Sequence, residues 1–255
     1  MSTKKLTDKV ALVTGGSRGL GAAIAKRLAD DGATVALTYT NSPQKADEVV
    51  LAIEAAGGQA LALRADSANV EAVKNAIAET VKAFGRIDIL VNNAGVGAFA
   101  LIDEFSLDDF DRLIAINVKG VFVATQEAVR HMGEGGRIIM IGSVNSDIMP
   151  IAGGSVYALT KGAMPTAGCA NASFTRGLAR DLGPRGITVN NIQPGPIDTD
   201  MNPADGTFAD RMKSITALQR YGRSEEVADM VSYLASAEAS FVTGANLKID
   251  GGFAA

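Results

Sequence analysis

The sequence predicts an α/β fold: a doubly wound, mostly parallel sheet of seven strands with helices on both faces. Three observations carry this reading. Short apolar runs alternate with longer helical patterns along nearly the whole chain. Most of these runs are unbroken Val, Ile, Leu and Ala, as expected for strands buried on both faces. A glycine-rich turn joins the first strand directly to the first helix. The 255 residues suffice for one large domain, 1–255, and no repeat, low-complexity tract or linker divides it.

The elements follow in order. Val10–Thr14 is the first strand and Leu20–Asp31 the first helix. Thr34–Tyr39 leads to Ala46–Ala56, and Ala60–Arg64 to Val70–Phe84. Ile87–Asn92 leads to the long helical pattern Leu107–Met132. Ser106-Leu-Asp-Asp109 reads as its N-terminus, with a hydroxyl cap and an acidic first turn. Arg137–Gly142, helical Ser155–Leu182, Ile187–Gln193, Glu225–Ala235 and Ala245–Ile249 complete the chain. Within Ser155–Leu182, Pro165 costs roughly 3 kcal/mol in a helix interior and Gly168 roughly 1 kcal/mol. Either Pro165–Ala172 is expelled as a loop, with the helix restarting near Ser173, or the N-terminal half is displaced. Retention of the chemistry-bearing residues favours the loop. Gly183-Pro184 stops the helical pattern.

Composition narrows the chemistry. Hydrophobic residues are 47% and charged residues 20%, a globular balance. A net charge of −4 argues against a nucleic-acid partner. No apolar run approaches the roughly 20 residues that span a bilayer. Met1–Lys9 is polar and carries no signal-like apolar region, so a cytoplasmic location is expected. Cys169 is the single cysteine, which excludes an intrachain disulfide and fits a reducing compartment. His131 is the single histidine, which argues against a multi-His metal site, and no metal is expected. It lies near a helix end, where a cation is favourable for structural reasons. Acid/base chemistry therefore falls to Tyr, Lys, Asp or Glu.

Two clusters supply that chemistry. After the first strand, Thr14-Gly15-Gly16-Ser17-Arg18-Gly19-Leu20-Gly21 brings backbone close to a phosphate and aims helix N–H groups at it. In such a fold, the end of the second strand reads the adenosine ribose. Here Tyr39-Thr40-Asn41-Ser42 offers no acid, and Arg18 offers a guanidinium. Both favour NADP(H), the lesser reading of Arg18 being a solvated loop charge. Asp66 and Ser67 either bond an adenine amino group, or Asp66 caps the Val70–Phe84 helix. The second cluster is Tyr157 and Lys161, four residues apart and on one helical face, with Ser143 fourteen residues upstream of Tyr157. An adjacent ammonium favours the phenolate, drawing the phenol down from its usual value of about 10 and making it a usable acid/base. Alone, such a pair is common and usually a solvated helix face.

Together these pieces closely resemble the short-chain dehydrogenase/reductase family, from Lys9 to Phe253. The resemblance rests on Thr14–Gly21, on Asn92-Asn93-Ala94-Gly95, and on Asn117, Ser143, Tyr157 and Lys161 in order. It also rests on Pro194-Gly195-Pro196-Ile197-Asp198-Thr199, Val242-Thr243-Gly244 and Ile249-Asp250-Gly251-Gly252. It implies a Rossmann-type fold that binds NADP(H) and reduces carbonyls. By resemblance, Tyr157 protonates the carbonyl oxygen, and Lys161 lowers the Tyr157 pKa and holds the nicotinamide ribose. Ser143 polarises the carbonyl, and Asn117 anchors a water, unless it is simply a satisfied buried amide. Asn93, Ala94 and Gly95 shape the adenine side, and Pro194, Gly195, Ile197 and Thr199 cover the nicotinamide. Asp88 is expected to tie down the Asn92–Gly95 turn. Gly195–Gln219 is expected to be a loop over the substrate. Phe99, Met149 and Met201 either line its pocket or pack in the core.

The family also implies a homotetramer or homodimer. The leading expectation is an NADPH-dependent reductase of ketones, aldehydes or 3-oxoacyl compounds. The chain is similar, too, to a bacterial subgroup described as cyclic-di-GMP-binding biofilm-dispersal mediators. That similarity rests on Ile141-Gly-Ser-Val-Asn145, Gln193–Asp200 and Glu238–Gly244, and makes a regulatory binding protein the alternative. A third expectation is a folded protein made inactive by the extra helix segment.

Overall fold

The computed structural model describes residues 4–162 and 174–255. Its centre is one seven-stranded sheet, in the order β3-β2-β1-β4-β5-β6-β7, with every neighbouring pair parallel. The strands are β1 (Val10–Val13), β2 (Thr34–Tyr39), β3 (Ala60–Arg64), β4 (Ile89–Asn92), β5 (Arg137–Ile141), β6 (Thr188–Pro194) and β7 (Asn246–Ile249). The chain winds outward from β1 in both directions, so the order reverses between β1 and β4. That reversal opens a crevice at the strands' carboxyl ends, where such sheets bind ligands.

Strand alternation sorts the apolar runs into two cores. Ala11, Val13, Val35, Leu37, Ile89, Val91, Ile139 and Ile141 face one side. There they pack under α1 (Gly19–Asp30), α2 (Pro43–Ala55) and a helix over Ser224–Ala235. Leu12, Ala36, Leu90, Ile138 and Met140 face the other side, under α3 (Val70–Phe84) and a helix over Val121–His131. Each fully buried Leu, Ile or Val contributes roughly 1.5–3 kcal/mol, which is why these runs tolerate no polar alternation.

Several elements depart from the sequence expectation. α2 starts at Pro43, which suits a first helical turn because the missing N–H is unused there. α3 is capped by Asn69, whose Oδ1 accepts from the Ala72 N–H at 3.0 Å. The Asp66 carboxylate instead accepts from the Ala68 N–H at 3.0 Å, so Asp66 is not the helix cap. Asp88 ties strand starts together rather than the Asn92–Gly95 turn. It accepts from the Val10 N–H at 2.9 Å and pairs with Arg86.

The long pattern Leu107–Met132 divides into α4 (Leu107–Ile114), a π-helical stretch Ala115–Gly120 and α5 (Val121–His131). The expected Ser106 cap is present, accepting from the Asp109 N–H at 3.1 Å. His131 ends α5, 3.7 Å from Glu127 one turn earlier.

α6 (Ser155–Gly162) and α7 (Phe174–Leu182) cover the two described ends of the Ser155–Leu182 pattern. The expected Pro165–Ala172 loop and the restart at Ser173 lie outside the described residues. The stretch Gly195–Gln219 is not wholly loop, because it contains α8 (Gly206–Ile215). Ala209 and Met212 of α8 are buried against Val144, Tyr221 and Phe253. α9 (Ser224–Ala235) packs along α1. Among the described residues, no helix is long and apolar enough to cross a membrane.

Candidate active site

The site forms at the sheet crevice, and its floor is a hydroxyl. Thr14 follows β1, and its Oγ1 accepts the N–H groups of Asn93 and Ala94, both at 3.0 Å. The Asn93 side chain returns the bond, donating to the carbonyls of Thr14 at 2.9 Å and Gly15 at 3.0 Å. Thr38, at the end of β2, accepts the Gly15 N–H at 3.0 Å. The loop after β4 and the end of strand β2 thus brace the glycine loop. The bracing roles of the Thr14 and Thr38 hydroxyls were not read from the sequence, because a hydroxyl's partners depend on what the fold places opposite it.

The loop's glycines are needed. Gly15 and Gly19 have φ of +64° and +52°, where side chains are strained. A Cβ on Gly21 would overlap the Gly15 carbonyl oxygen and lie 2.5 Å from the Asn93 amide nitrogen. The backbone is therefore bare where a ligand would approach, above the N-terminus of α1, as a dinucleotide pyrophosphate requires. Ser17 is half-buried in the loop, Arg18 is exposed with extended backbone, and Leu20 turns down onto the core. Tyr39, exposed Asn41 and half-buried Ser42 end β2 beside it, with no carboxylate among them. The residues present thus suit a 2′-phosphorylated dinucleotide. Ser67 lies further along the crevice, its carbonyl oxygen against Gly120.

Across the crevice, β5 and α6 carry the second cluster. Ser143 follows β5 and opens a 3-10 turn, its hydroxyl accepting the Asn145 N–H at 3.1 Å. Tyr157 and Lys161 lie on α6, with the Lys161 Nζ 5.9 Å from the Tyr157 ring centroid. Burial raises the Tyr157 phenol above its usual value, and a hydrogen bond with the Ser143 hydroxyl offsets part of this. The downward pull expected of Lys161 does not decide the sign here; burial does. Lys161 is itself only 6% exposed, donates to the Ile141 carbonyl at 3.2 Å, and is lowered by burial to about 8. A Cβ on Gly95 would stand 3.1 Å from Lys161 Nζ and 3.4 Å from Asn117 Oδ1. The Asn93–Gly95 turn therefore links the glycine loop to the Tyr157 cluster.

Asn117 sits in the π-helical stretch, a deformation frequent at functional sites. Its amide is fully engaged. Oδ1 accepts the Val96 N–H at 2.9 Å, and Nδ2 donates to the Val96 carbonyl at 2.9 Å and the Thr160 hydroxyl at 3.0 Å. The Thr160 hydroxyl in turn donates to the Tyr157 carbonyl at 2.9 Å. This satisfied amide is a brace between the helix and α6. Thr160 is a further residue that the sequence reading passed over.

The segment after β6 closes the crevice. Pro194 ends β6, and the Gly195 N–H bonds the Ile249 carbonyl at 3.1 Å. A Cβ on Gly195 would lie 2.7 Å from the Asp250 Cα, so only glycine fits there. Ile197 is buried and bridges Gly222. The Thr199 methyl lies 3.6 Å from where a Gly19 Cβ would stand, so this segment reaches the glycine loop. Of the three candidate pocket residues, Phe99 is brought to Tyr157, its ring centroid 5.4 Å away and its surface 55% exposed. Met201 is exposed on the closing segment, and Met149 packs on Gly154.

Known proteins match this arrangement along almost the whole chain. A family model described as enoyl-(acyl carrier protein) reductase matches residues 15–254. A cyclic-di-GMP-binding biofilm dispersal mediator protein of Escherichia coli is 50% identical over 249 residues, 98% of each chain. The structure of a short-chain dehydrogenase/reductase from Serratia marcescens superposes with a TM-score of 0.94 at 54% identity, over 98% of this chain and 100% of that one. A short-chain dehydrogenase from Burkholderia cenocepacia, solved in complex with NADP, superposes with a TM-score of 0.93 at 52% identity, over 98% and 100%.

Proposed function

The chain belongs to the short-chain dehydrogenase/reductase family, and from that premise we propose that it is an NADPH-dependent reductase of ketones, aldehydes or 3-oxoacyl compounds. One observation carries the reading: the Tyr157 phenol is hydrogen-bonded to Ser143 and lies beside buried Lys161, whose ammonium stands against Gly95 of the turn that braces the glycine loop. The loop Gly15–Gly21 with Arg18 holds the cofactor's phosphates. Tyr39, Asn41, Ser42, Asp66 and Ser67 line its adenosine end. Asn93, Ala94 and Gly95 form the crevice wall, and Pro194, Gly195, Ile197 and Thr199 close it. When bound, NADPH supplies the hydride.

The protein's own residues supply position and a proton. Ser143 donates to the substrate carbonyl oxygen and holds it beside Tyr157. Tyr157, kept protonated by burial at neutral pH, gives its proton to that oxygen as negative charge develops there. Lys161 is an ammonium below about pH 8 and stabilises the phenolate left behind. Asn117 holds the π-helical stretch against α6, which keeps Tyr157 and Lys161 aimed into the crevice. Phe99 shields one face of the Tyr157 ring and presents an apolar surface to the substrate. Exposed Leu107, Phe122 and Leu159 suit a homo-oligomer, which light scattering against the 26.3 kDa chain would measure.

The test is NADPH oxidation followed against a panel of carbonyl compounds. A second reading is carried by the E. coli relative, whose name states that it binds cyclic-di-GMP. Titration of this protein with cyclic-di-GMP separates the two readings. Saturable binding with no turnover on any carbonyl would favour the regulatory one.

A further inference from the structure

One ion pair spans the crevice mouth and serves none of the roles above. Lys45 lies in the first turn of α2, just past Ser42. Asp200 is 155 residues away in sequence, and the two pair at 2.8 Å. The turn that presents Asp200 is well built. The Thr199 N–H bonds the Asn202 carbonyl at 3.3 Å, and the Asn202 N–H bonds the Thr199 carbonyl at 3.0 Å. The Tyr221 hydroxyl donates to Asn202 Oδ1 at 3.3 Å, and the Ala204 N–H to Asp198 Oδ1 at 3.0 Å. Thr199 is meanwhile seated on Gly19, the residue after Arg18. The Lys45 ammonium first, and the Arg18 guanidinium after it, hold the Asp200 carboxyl below its usual range. A carboxylate of the chain itself thus occupies the anion position beside these two cations, at the acid-free end of β2. Both partners are about half exposed, at 50% and 58%, and such pairs are weak enough to exchange.

We propose that Lys45 joins Arg18 in receiving the adenosine 2′-phosphate of NADPH, and that Asp200 is the internal anion this phosphate displaces. The proposal rests on the NADP(H) reading and deepens it. A phosphate monoester carries about two negative charges and several acceptor oxygens, so it can engage an ammonium and a guanidinium together. A cofactor with a 2′-hydroxyl offers neither, and leaves Lys45 on Asp200. Lys45 is then a determinant of cofactor choice, and Asp200 sets the affinity of the phosphate by competing for its partners.

The experiment is calorimetric titration of the full-length protein with NADPH, NADH and 2′,5′-ADP, which carries the 2′-phosphate without the nicotinamide. Asp200→Asn should tighten NADPH and 2′,5′-ADP by about threefold or more and leave NADH within about twofold. Lys45→Gln should weaken the two phosphorylated ligands by about tenfold and leave NADH within about twofold. Unchanged NADH binding shows that each variant keeps an intact site. The proposal is overturned if Asp200→Asn leaves NADPH unchanged or weaker, or if Lys45→Gln shifts NADPH and NADH alike. These titrations read binding rather than turnover. Shifts as stated in a protein that reduces no carbonyl would support the proposal while sinking the reductase reading. A wild-type protein without preference for NADPH would sink the cofactor assignment and this proposal with it.

Discussion

The Asn117 amide donates to the Thr160 hydroxyl at 3.0 Å, and through it the π-helical stretch holds the helix that carries Tyr157 and Lys161. Thr160 is fully buried and also donates to the Tyr157 carbonyl. Thr160→Val keeps the shape and removes both bonds. It should cost about 1–3 kcal/mol in urea unfolding, the usual price of buried polar groups left unpaired. Turnover should fall with NADPH affinity nearly unchanged, since the glycine loop is untouched. Wild-type stability would show that the brace contributes nothing.

Gly21→Ala tests the cradle. Its Cβ must displace the Gly15 carbonyl or the Asn93 amide, and backbone is costly to move. NADPH affinity should fall by about tenfold or more, with a stability loss of about 1–3 kcal/mol. Circular dichroism and calorimetry read the two effects separately. Unaltered affinity would mean that the tight Gly15–Gly21–Asn93 contact does not shape the site.

Arg18→Ala tests the cofactor assignment at the loop itself. NADPH should weaken by about tenfold relative to NADH, because the lost guanidinium pairs only with the 2′-phosphate. Dissociation constants for both cofactors measure this, and an unchanged ratio would place Arg18 outside the site.

Lys161 makes stability depend on pH. Burial lowers it from 10.5 to about 8, so between these values the unfolded chain binds the proton that the folded chain has released. Stability therefore rises with pH across that window, and the whole penalty is present below about pH 8. The shift corresponds to about 3 kcal/mol. Wild type should thus gain on Lys161→Met by up to that amount as pH rises through the window. Read below pH 10, the ordinary tyrosine value above which burial raises Tyr157, the phenol is protonated in both proteins and does not enter the difference. A flat difference would show that Lys161 is not desolvated.

How much of this was legible follows from what each feature depends on. The strands of the sheet were readable because burial on both faces forces unbroken runs such as Ile138-Ile139-Met140-Ile141. Ser143, Tyr157 and the glycine loop were readable because rare chemistry stands at strand ends and fixed spacings. The π-helical stretch was not, since its residues keep a helical apolar pattern. α8 was hidden by Pro203 and Gly206 at its entry, where the φ of +80° at Gly206 looks like loop chemistry. The roles of the Thr14, Thr38 and Thr160 hydroxyls were missed because each is set by its partner in space. The Lys45–Asp200 pair joins positions too distant for any local pattern to connect.

The central claim is that Tyr157 is the proton donor of a carbonyl reductase, and Tyr157→Phe tests it most directly. The variant keeps the ring beside Phe99 and removes only the hydroxyl. On the best substrate of the carbonyl panel, kcat should fall by roughly 10²–10⁴-fold, the usual worth of general acid catalysis. The NADPH dissociation constant should stay within about twofold, a change of less than about 0.5 kcal/mol. Reduction at a near wild-type rate by Tyr157→Phe, with NADPH bound normally, would contradict the claim.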